Sequence, residues 1–304
     1  MAENKIKVLH VPSMWHEGAQ HWVWSAEMIT RHCNKDKFEM NVVMDLDRAE
    51  QLYPQYDLIV PWYVTKTPPT LPRDKAIIIA HSRYETGCLG WEVAGKGVVS
   101  KYLYDYIQKQ ENIDYNLHIV NYGIDTDFWK PLPKPESDKI KVGWVGSPDS
   151  KYLDLAKAVV QGLDVEFLPL NIQQNPRSIY GMPNYYNSID VLLVTSLEEG
   201  FHRPTIEAMS CGVAVLSNNV GIASEVLEPI GSGGWEYHWD EKQTNTLRQE
   251  IVDGMRKALQ ELTKSSIAEM GQRNRELICR DWTWEKKIGA WEKLFEESYE
   301  TTKR

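Results

Sequence analysis

Two glutamates, Glu199 and Glu207, stand eight positions apart around Gly200-Phe-His-Arg-Pro204. The apolar run Val191 to Val194 before them reads as a buried parallel strand, which empties into a polar loop holding Glu199 and Gly200. Pro204 suits the first position of a helix, where no amide donor is needed and φ is already set. Glu207 then falls in the first turn, and Gly212 ends the helix before a second apolar strand, Val213 to Leu216. Two carboxylates thus flank a helix N-terminus at the carboxyl end of a strand, where open α/β sheets bind ligands. Such an N-terminus offers unpaired N–H groups and about half a positive charge, a seat for phosphate or pyrophosphate. A carboxylate beside it accepts two hydrogen bonds from vicinal hydroxyls. Phosphate seat plus two hydroxyl acceptors describes a nucleotide-sugar site. Each glutamate alone has a plainer reading, Glu207 as a helix-dipole partner and Glu199 as a solvated loop charge. The shared strand–loop–Pro–helix–Gly–strand frame favours chemistry.

Glu199-Gly-Phe-x-x-Pro204-x-x-Glu207-Ala-Met-x-x-Gly212 resembles the Glu-x7-Glu motif of retaining GT-B glycosyltransferases, family 4 (glycosyl transferases group 1) in particular. Tyr185-Tyr-Asn-Ser-Ile-Asp190 is similar to the element before that strand, and Asn219-Val-Gly221 with Glu225 to the loop after it. Asn121-Tyr-Gly-Ile-Asp-Thr-Asp-Phe128 resembles the interdomain signature, and Trp282-Thr-Trp284-Glu285 the start of the closing helix.

The resemblance implies an α/β protein of two Rossmann-like domains facing across a cleft. Residues 1–135 would form the acceptor domain and 136–284 the donor domain, with a C-terminal helix, about 285–304, crossing back to the first. The Pro-rich Lys130-Pro-Leu-Pro-Lys-Pro-Glu136 reads as the linker. The implied reaction moves a sugar from a nucleoside diphosphate to a hydroxyl acceptor that sequence does not identify. Glu207 would bind the ribose hydroxyls and Glu199 those of the sugar, with Lys151 and the amides after Gly200 stabilising the departing diphosphate. The donor is a co-substrate, so no cofactor is expected.

Several further positions follow from the same resemblance. His81 ends an apolar strand where relatives keep a His facing the donor sugar. Gly18, in Trp15-His-Glu-Gly18, matches a glycine loop that approaches the diphosphate. Gly146-Ser-Pro-Asp-Ser-Lys151 is the loop that meets the diphosphate, but Ser147 stands where the family has an Arg. Arg203 and Arg177 are the candidate replacement cations. Phe201 follows the family pattern, whereas His202 stands where Gly is common and puts a side chain near the sugar.

The remaining sequence bounds the answer. Two Asp-x-Asp pairs, Asp45-Leu-Asp47 and Asp125-Thr-Asp127, read as turn and capping aspartates, and no metal requirement is expected. No Gly-x-Gly-x-x-Gly or Gly-x-x-x-x-Gly-Lys-[Ser/Thr] is present. With 304 residues, 42% hydrophobic and 25% charged, the chain has the composition of an ordinary globular protein. Its net charge of −9 argues against broad nucleic-acid binding. The four cysteines lack metal-ligand spacing, and a reduced cytoplasmic setting is the default. No membrane span is expected, and peripheral membrane contact stays open. Twelve tryptophans could line an aromatic acceptor cleft or fill the core. Two other readings remain: a nucleotide-sugar-binding partner protein with weak catalysis, and a glycosyltransferase acting on modified phage nucleic acid.

Overall fold

In this computed structural model the described residues are 5–12, 20–62, 70–111, 116–134, 136–230 and 241–304. The chain divides into two compact units, Met1–Gly123 with Trp284–Arg304, and Ile124–Thr283. Short apolar runs alternate with amphipathic segments, and the runs Leu58–Trp62, Ile77–Ala80, Val191–Val194 and Ala214–Ser217 become strands buried along their whole length.

The first unit contains β1 (Ile6–Pro12), α1 (Gln20–His32), β2 (Phe38–Val42), α2 (Leu46–Leu52), β3 (Leu58–Trp62), β4 (Ile77–Ala80), α3 (Thr86–Leu89), β5 (Gly95–Val98), α4 (Lys101–Glu111) and β6 (His118–Ile119). Its strands are all parallel, in the orders β2-β1-β3 and β4-β5-β6, and the Ile59–Ala76 bridge links the two sets. Asp45 caps α2 by accepting from the Arg48 amide, and Asp125 accepts from the amides of Asp127 and Phe128, so each Asp-x-Asp pair opens a local turn.

The second unit contains β7 (Ile140–Gly146), α5 (Leu153–Val160), β8 (Val165–Asn171), α6 (Met182–Asn187), β9 (Val191–Val194), α7 (Arg203–Ser210), β10 (Ala214–Ser217), α8 (Ala223–Val226), α9 (Glu241–Glu261) and α10 (Lys264–Asp281). Its sheet is parallel in the order β10-β9-β7-β8. Leu247, Ile251, Met255 and Leu259 recur every fourth residue along α9 and pack with Leu155 and Val159 of α5.

The last helix, α11 (Trp284–Thr302), belongs to the first unit. It buries Ile288, Trp291, Leu294, Phe295 and Ser298, one helical face. Gly95 admits that face closely, since a Cβ there would lie 1.9 Å from Ser298 Oγ. The chain passes between the units at 123–124 and again at 283–284, and the Ile124–Thr283 bridge stands beside the second passage. The Pro-rich stretch expected as the linker lies instead along the second unit. Asn187 fixes it there, with Oδ1 accepting from the Leu132 amide at 2.7 Å and Nδ2 donating to the Lys130 carbonyl at 3.0 Å. Proline removes amide donors from such a stretch, but its carbonyls and neighbouring amides still bind a packed surface.

Tryptophan serves mainly as core. Trp62, Trp129, Trp144, Trp284 and Trp291 are among the largest fully buried side chains. Among the described residues, no helix is long and apolar enough to cross a membrane.

The turn from α7 into β10 depends on two glycines. Gly212 has φ +74, and a Cβ on Gly271 of α10 would lie 2.1 Å from the Gly212 carbonyl oxygen. Helix propensity alone would make Gly271→Ala stabilising by about 1 kcal/mol. The backbone clash reverses that sign, and urea unfolding of the variant should show a net loss of ~1–3 kcal/mol. An increase in stability would show that the two segments are not in contact.

Candidate functional site

The second unit gathers most of the candidate residues at the carboxyl ends of β7 and β9. Strand β7 ends at Gly146, whose φ of +155 lies outside the ordinary range of other residues. A Cβ there would come within 2.5 Å of Lys151 Cγ, so the absence of a side chain lets the lysine stem cross the strand end. The chain then turns through Ser147, with the Lys151 amide donating to the Ser147 carbonyl at 3.0 Å. Trp144 Nε1 and Thr195 Oγ1 both donate to the Lys151 carbonyl, at 3.2 and 3.0 Å. The Lys151 backbone is therefore held by buried groups of both strand ends.

Lys151 Nζ reaches Glu199 Oε1 at 2.5 Å. The carboxylate side chain is 10% exposed and the lysine 31%. Burial pushes the Glu199 carboxyl up, but the Lys151 cation, the nearby His202 ring and hydrogen bonds from Lys151 and Ser196 outweigh it and hold it below its ordinary value. Glu199 is ionised at neutral pH. After it, Gly200 and Phe201 are buried, and Phe201 packs on Trp282 with ring centroids 6.3 Å apart. Gly221 allows the loop after β10 to press on this segment, because a Cβ there would lie 2.4 Å from the Phe201 carbonyl oxygen.

His202 precedes α7 with φ +63, and Nδ1 of its ring is 2.8 Å from Thr205 Oγ1. The helix starts at Arg203, one residue before Pro204. Glu207 consequently lies beyond the first turn, which corrects the sequence expectation: proline fits the second helical position as well as the first, since neither needs an amide donor. The helix dipole is therefore not its partner. Tyr186 of α6 donates its hydroxyl to Glu207 Oε2 at 2.8 Å. Burial pushes the Glu207 carboxyl above its ordinary value, with Arg203 and the Tyr186 hydrogen bond acting the other way. Arg203 is thus the candidate cation beside Glu207, whereas Arg177 lies over the Tyr185 ring at 5.8 Å.

Arg275 of α10 anchors the far end of α7. Its Nη1 donates to the carbonyls of Trp129 and Ser210 at 2.8 Å, and its Nη2 to that of Thr126 at 3.0 Å. Tyr186, Thr195, Trp144 and Arg275 were not legible as site-building residues, because nothing local marks which hydroxyl or indole meets a distant group.

His81 belongs to the first unit, directly after β4. Its Nδ1 is 2.7 Å from the Tyr122 hydroxyl, and its ring stacks on Trp62 and Tyr122. Gly18 lies outside the described residues. Beneath His81, Glu85 Oε2 accepts from the His81 amide. Glu85 is 1% exposed, and burial pushes its carboxyl up to about 8, against hydrogen bonds from the His81 and Ser82 backbone. It is protonated at neutral pH. Among the described residues, no group of three or more His, Cys, Asp or Glu side chains is placed to hold a metal ion.

Residues 107–257 match the family model described as Glycosyl transferases group 1. Solved structures share the architecture at low identity. A glycosyltransferase from Rickettsia africae superposes with a TM-score of 0.66 at 11% identity, covering 97% of this chain and 99% of its own. A sucrose-phosphate synthase from Thermosynechococcus elongatus gives 0.64 at 13% identity, covering 98% and 100%. Anabaena HepE in complex with UDP and glucose gives 0.62 at 12% identity, covering 96% and 98%. These likenesses establish the GT-B fold. No curated protein sequence matches the chain.

The buried Glu85 acid gives a pH test of the first unit. The unfolded chain releases this proton from about pH 4.5 upward, whereas the folded chain keeps it to about 8. The folded pKa is the raised one, so the wild type loses stability as pH rises through that window. Glu85→Gln has no such proton to release. Melting curves should show the variant gaining on the wild type between pH 4.5 and 8, by up to ~1.4 kcal/mol per pH unit. A pH-independent difference would mean that Glu85 is ionised in the fold.

Proposed function

We propose that this chain, a group 1 glycosyltransferase of the GT-B fold, is a retaining, metal-independent enzyme that moves a sugar from a nucleoside diphosphate to a hydroxyl acceptor. The observation that carries this reading is the Lys151–Glu199 pair, a cation and an ionised carboxylate from two strand ends held together, with Glu199 in the loop that leads into α7. A departing diphosphate needs its growing charge neutralised, and a lysine with helix amides supplies that without a metal. The carboxylate accepts hydrogen bonds from sugar hydroxyls.

Glu207 takes the ribose hydroxyls in this scheme. Tyr186 occupies Oε2, which leaves Oε1 to accept from the nucleoside. Gly146, Ser147, Gly200 and Phe201 line the diphosphate seat with backbone groups, and Arg203 stands in for the arginine absent at Ser147. Both carboxylates are binding groups here. Retention then arises from attack on the face that the diphosphate leaves, with a phosphate oxygen taking the acceptor proton. The acceptor is a glycan, lipid-linked or other hydroxyl compound. UDP is the first nucleotide to try, because the Anabaena neighbour holds UDP and glucose.

Thermal shift against UDP, GDP, ADP, CDP and dTDP tests the donor site. A selective ligand at 100 times its Kd should add about 2.7 kcal/mol of stability. Glu207→Ala should abolish that gain. Tyr186→Phe should weaken nucleotide binding about fivefold, the worth of one hydrogen bond of ~1 kcal/mol. Lys151→Ala should lower kcat by ~100-fold or more while EDTA leaves the wild-type rate unchanged. No shift with any nucleotide, or full turnover in Glu207→Ala, would overturn the reading.

A further inference from the structure

His202 departs from what its backbone prefers. Its φ of +63 and ψ of 74 place it in the left-handed region, where glycine is at ease and a residue bearing a Cβ is strained. Among the described residues, only Asn116 and Tyr152 share a positive φ without being glycine. The side chain is nevertheless ordered. It is 8% exposed, with Nδ1 2.8 Å from Thr205 Oγ1 and Nε2 3.8 Å from Glu199 Oε1. That carboxylate oxygen is the one Lys151 already holds.

The ring is neutral at pH 7, since burial brings it down to about 4 despite the nearby Glu199. One tautomer suits both neighbours. Nδ1 accepts from the Thr205 hydroxyl, and the single ring proton on Nε2 faces the carboxylate. The imidazole is thus a fixed, uncharged wall on one side of Glu199.

Resting on the donor-site reading above, we infer that His202 determines which sugar the donor carries. The ring fills the volume that a glycine at this left-handed position leaves open next to Glu199. An acetamido arm is similar in bulk to the imidazole ring, so both cannot occupy that space. The site therefore takes sugars that bear only hydroxyls there, hexoses or pentoses, and rejects N-acetylated ones.

Calorimetric binding of UDP, UDP-glucose, UDP-xylose and UDP-N-acetylglucosamine to wild type, His202→Gly and His202→Asn tests this. The same sugars on another base replace them if thermal shift selects that base. Wild type should bind the unsubstituted sugars more tightly than the acetamido sugar by ~10–100-fold, the discrimination a shaped pocket achieves. His202→Gly, relieved of backbone strain but without the ring's contact to Thr205, should still fold, bind UDP within about twofold of wild type and lose most of that ratio. His202→Asn tolerates the left-handed backbone and should fall between the two. An unchanged ratio in His202→Gly, with UDP binding intact, would overturn the assignment. So would loss of UDP binding in the histidine variants alone, which would make His202 part of the diphosphate seat. Failure of wild type to bind any nucleotide would remove the donor-site reading and this inference with it.

Discussion

An ionised carboxylate held at the carboxyl end of a tightly packed parallel sheet is the constraint on which the candidate site depends. Taking such a group out of water costs several kcal/mol unless it is paired and hydrogen-bonded. Glu199, 10% exposed, meets that condition through Lys151. The lysine can reach it because Gly146 has no side chain in its path, and it stays there because Trp144 and Thr195 grip the Lys151 carbonyl. Removing any one of these supports leaves a buried charge looking for a partner.

Glu207 meets the same condition by another route. Its partners are a neutral hydroxyl, Tyr186, and the nearby Arg203, and its carboxyl is held above rather than below its ordinary value. Two glutamates of one motif are thus placed in different electrostatic states by their neighbours. Helix α7 carries Glu207, and its far end is pinned. Arg275 collects the carbonyls of Thr126, Trp129 and Ser210, and the Gly212–Gly271 contact sets how closely α10 approaches.

The first unit shows the same economy of polar groups under a different demand. His81, Tyr122, Trp62 and Trp291 form a stacked aromatic array, with Trp291 Nε1 donating to the Asn121 carbonyl at 3.0 Å. Glu85 sits beneath the array as an uncharged acid. Its protonated state removes the need for a cation in an apolar surrounding, at the expense of stability in alkaline solution.

Sequence by itself determined the alternation of strand and helix, the parallel character of the sheets, the Glu199–Glu207 frame, and the capping roles of Asp45 and Asp125. These are local properties: apolar periodicity, turn residues and short spacings act within a few positions of one another. It also marked His202 as an oddity, although not that its backbone is left-handed. Tertiary structure decided the rest. Lys151 and Glu199 are 48 positions apart, and Tyr186 and Glu207 are 21 apart. The passage between units lies at 123–124 because Asn187, far along the chain, holds the Pro-rich stretch against the second unit. Which charge is paired, which acid keeps its proton and where a helix begins depend on burial and on partners brought from elsewhere, and no local pattern encodes a distant partner.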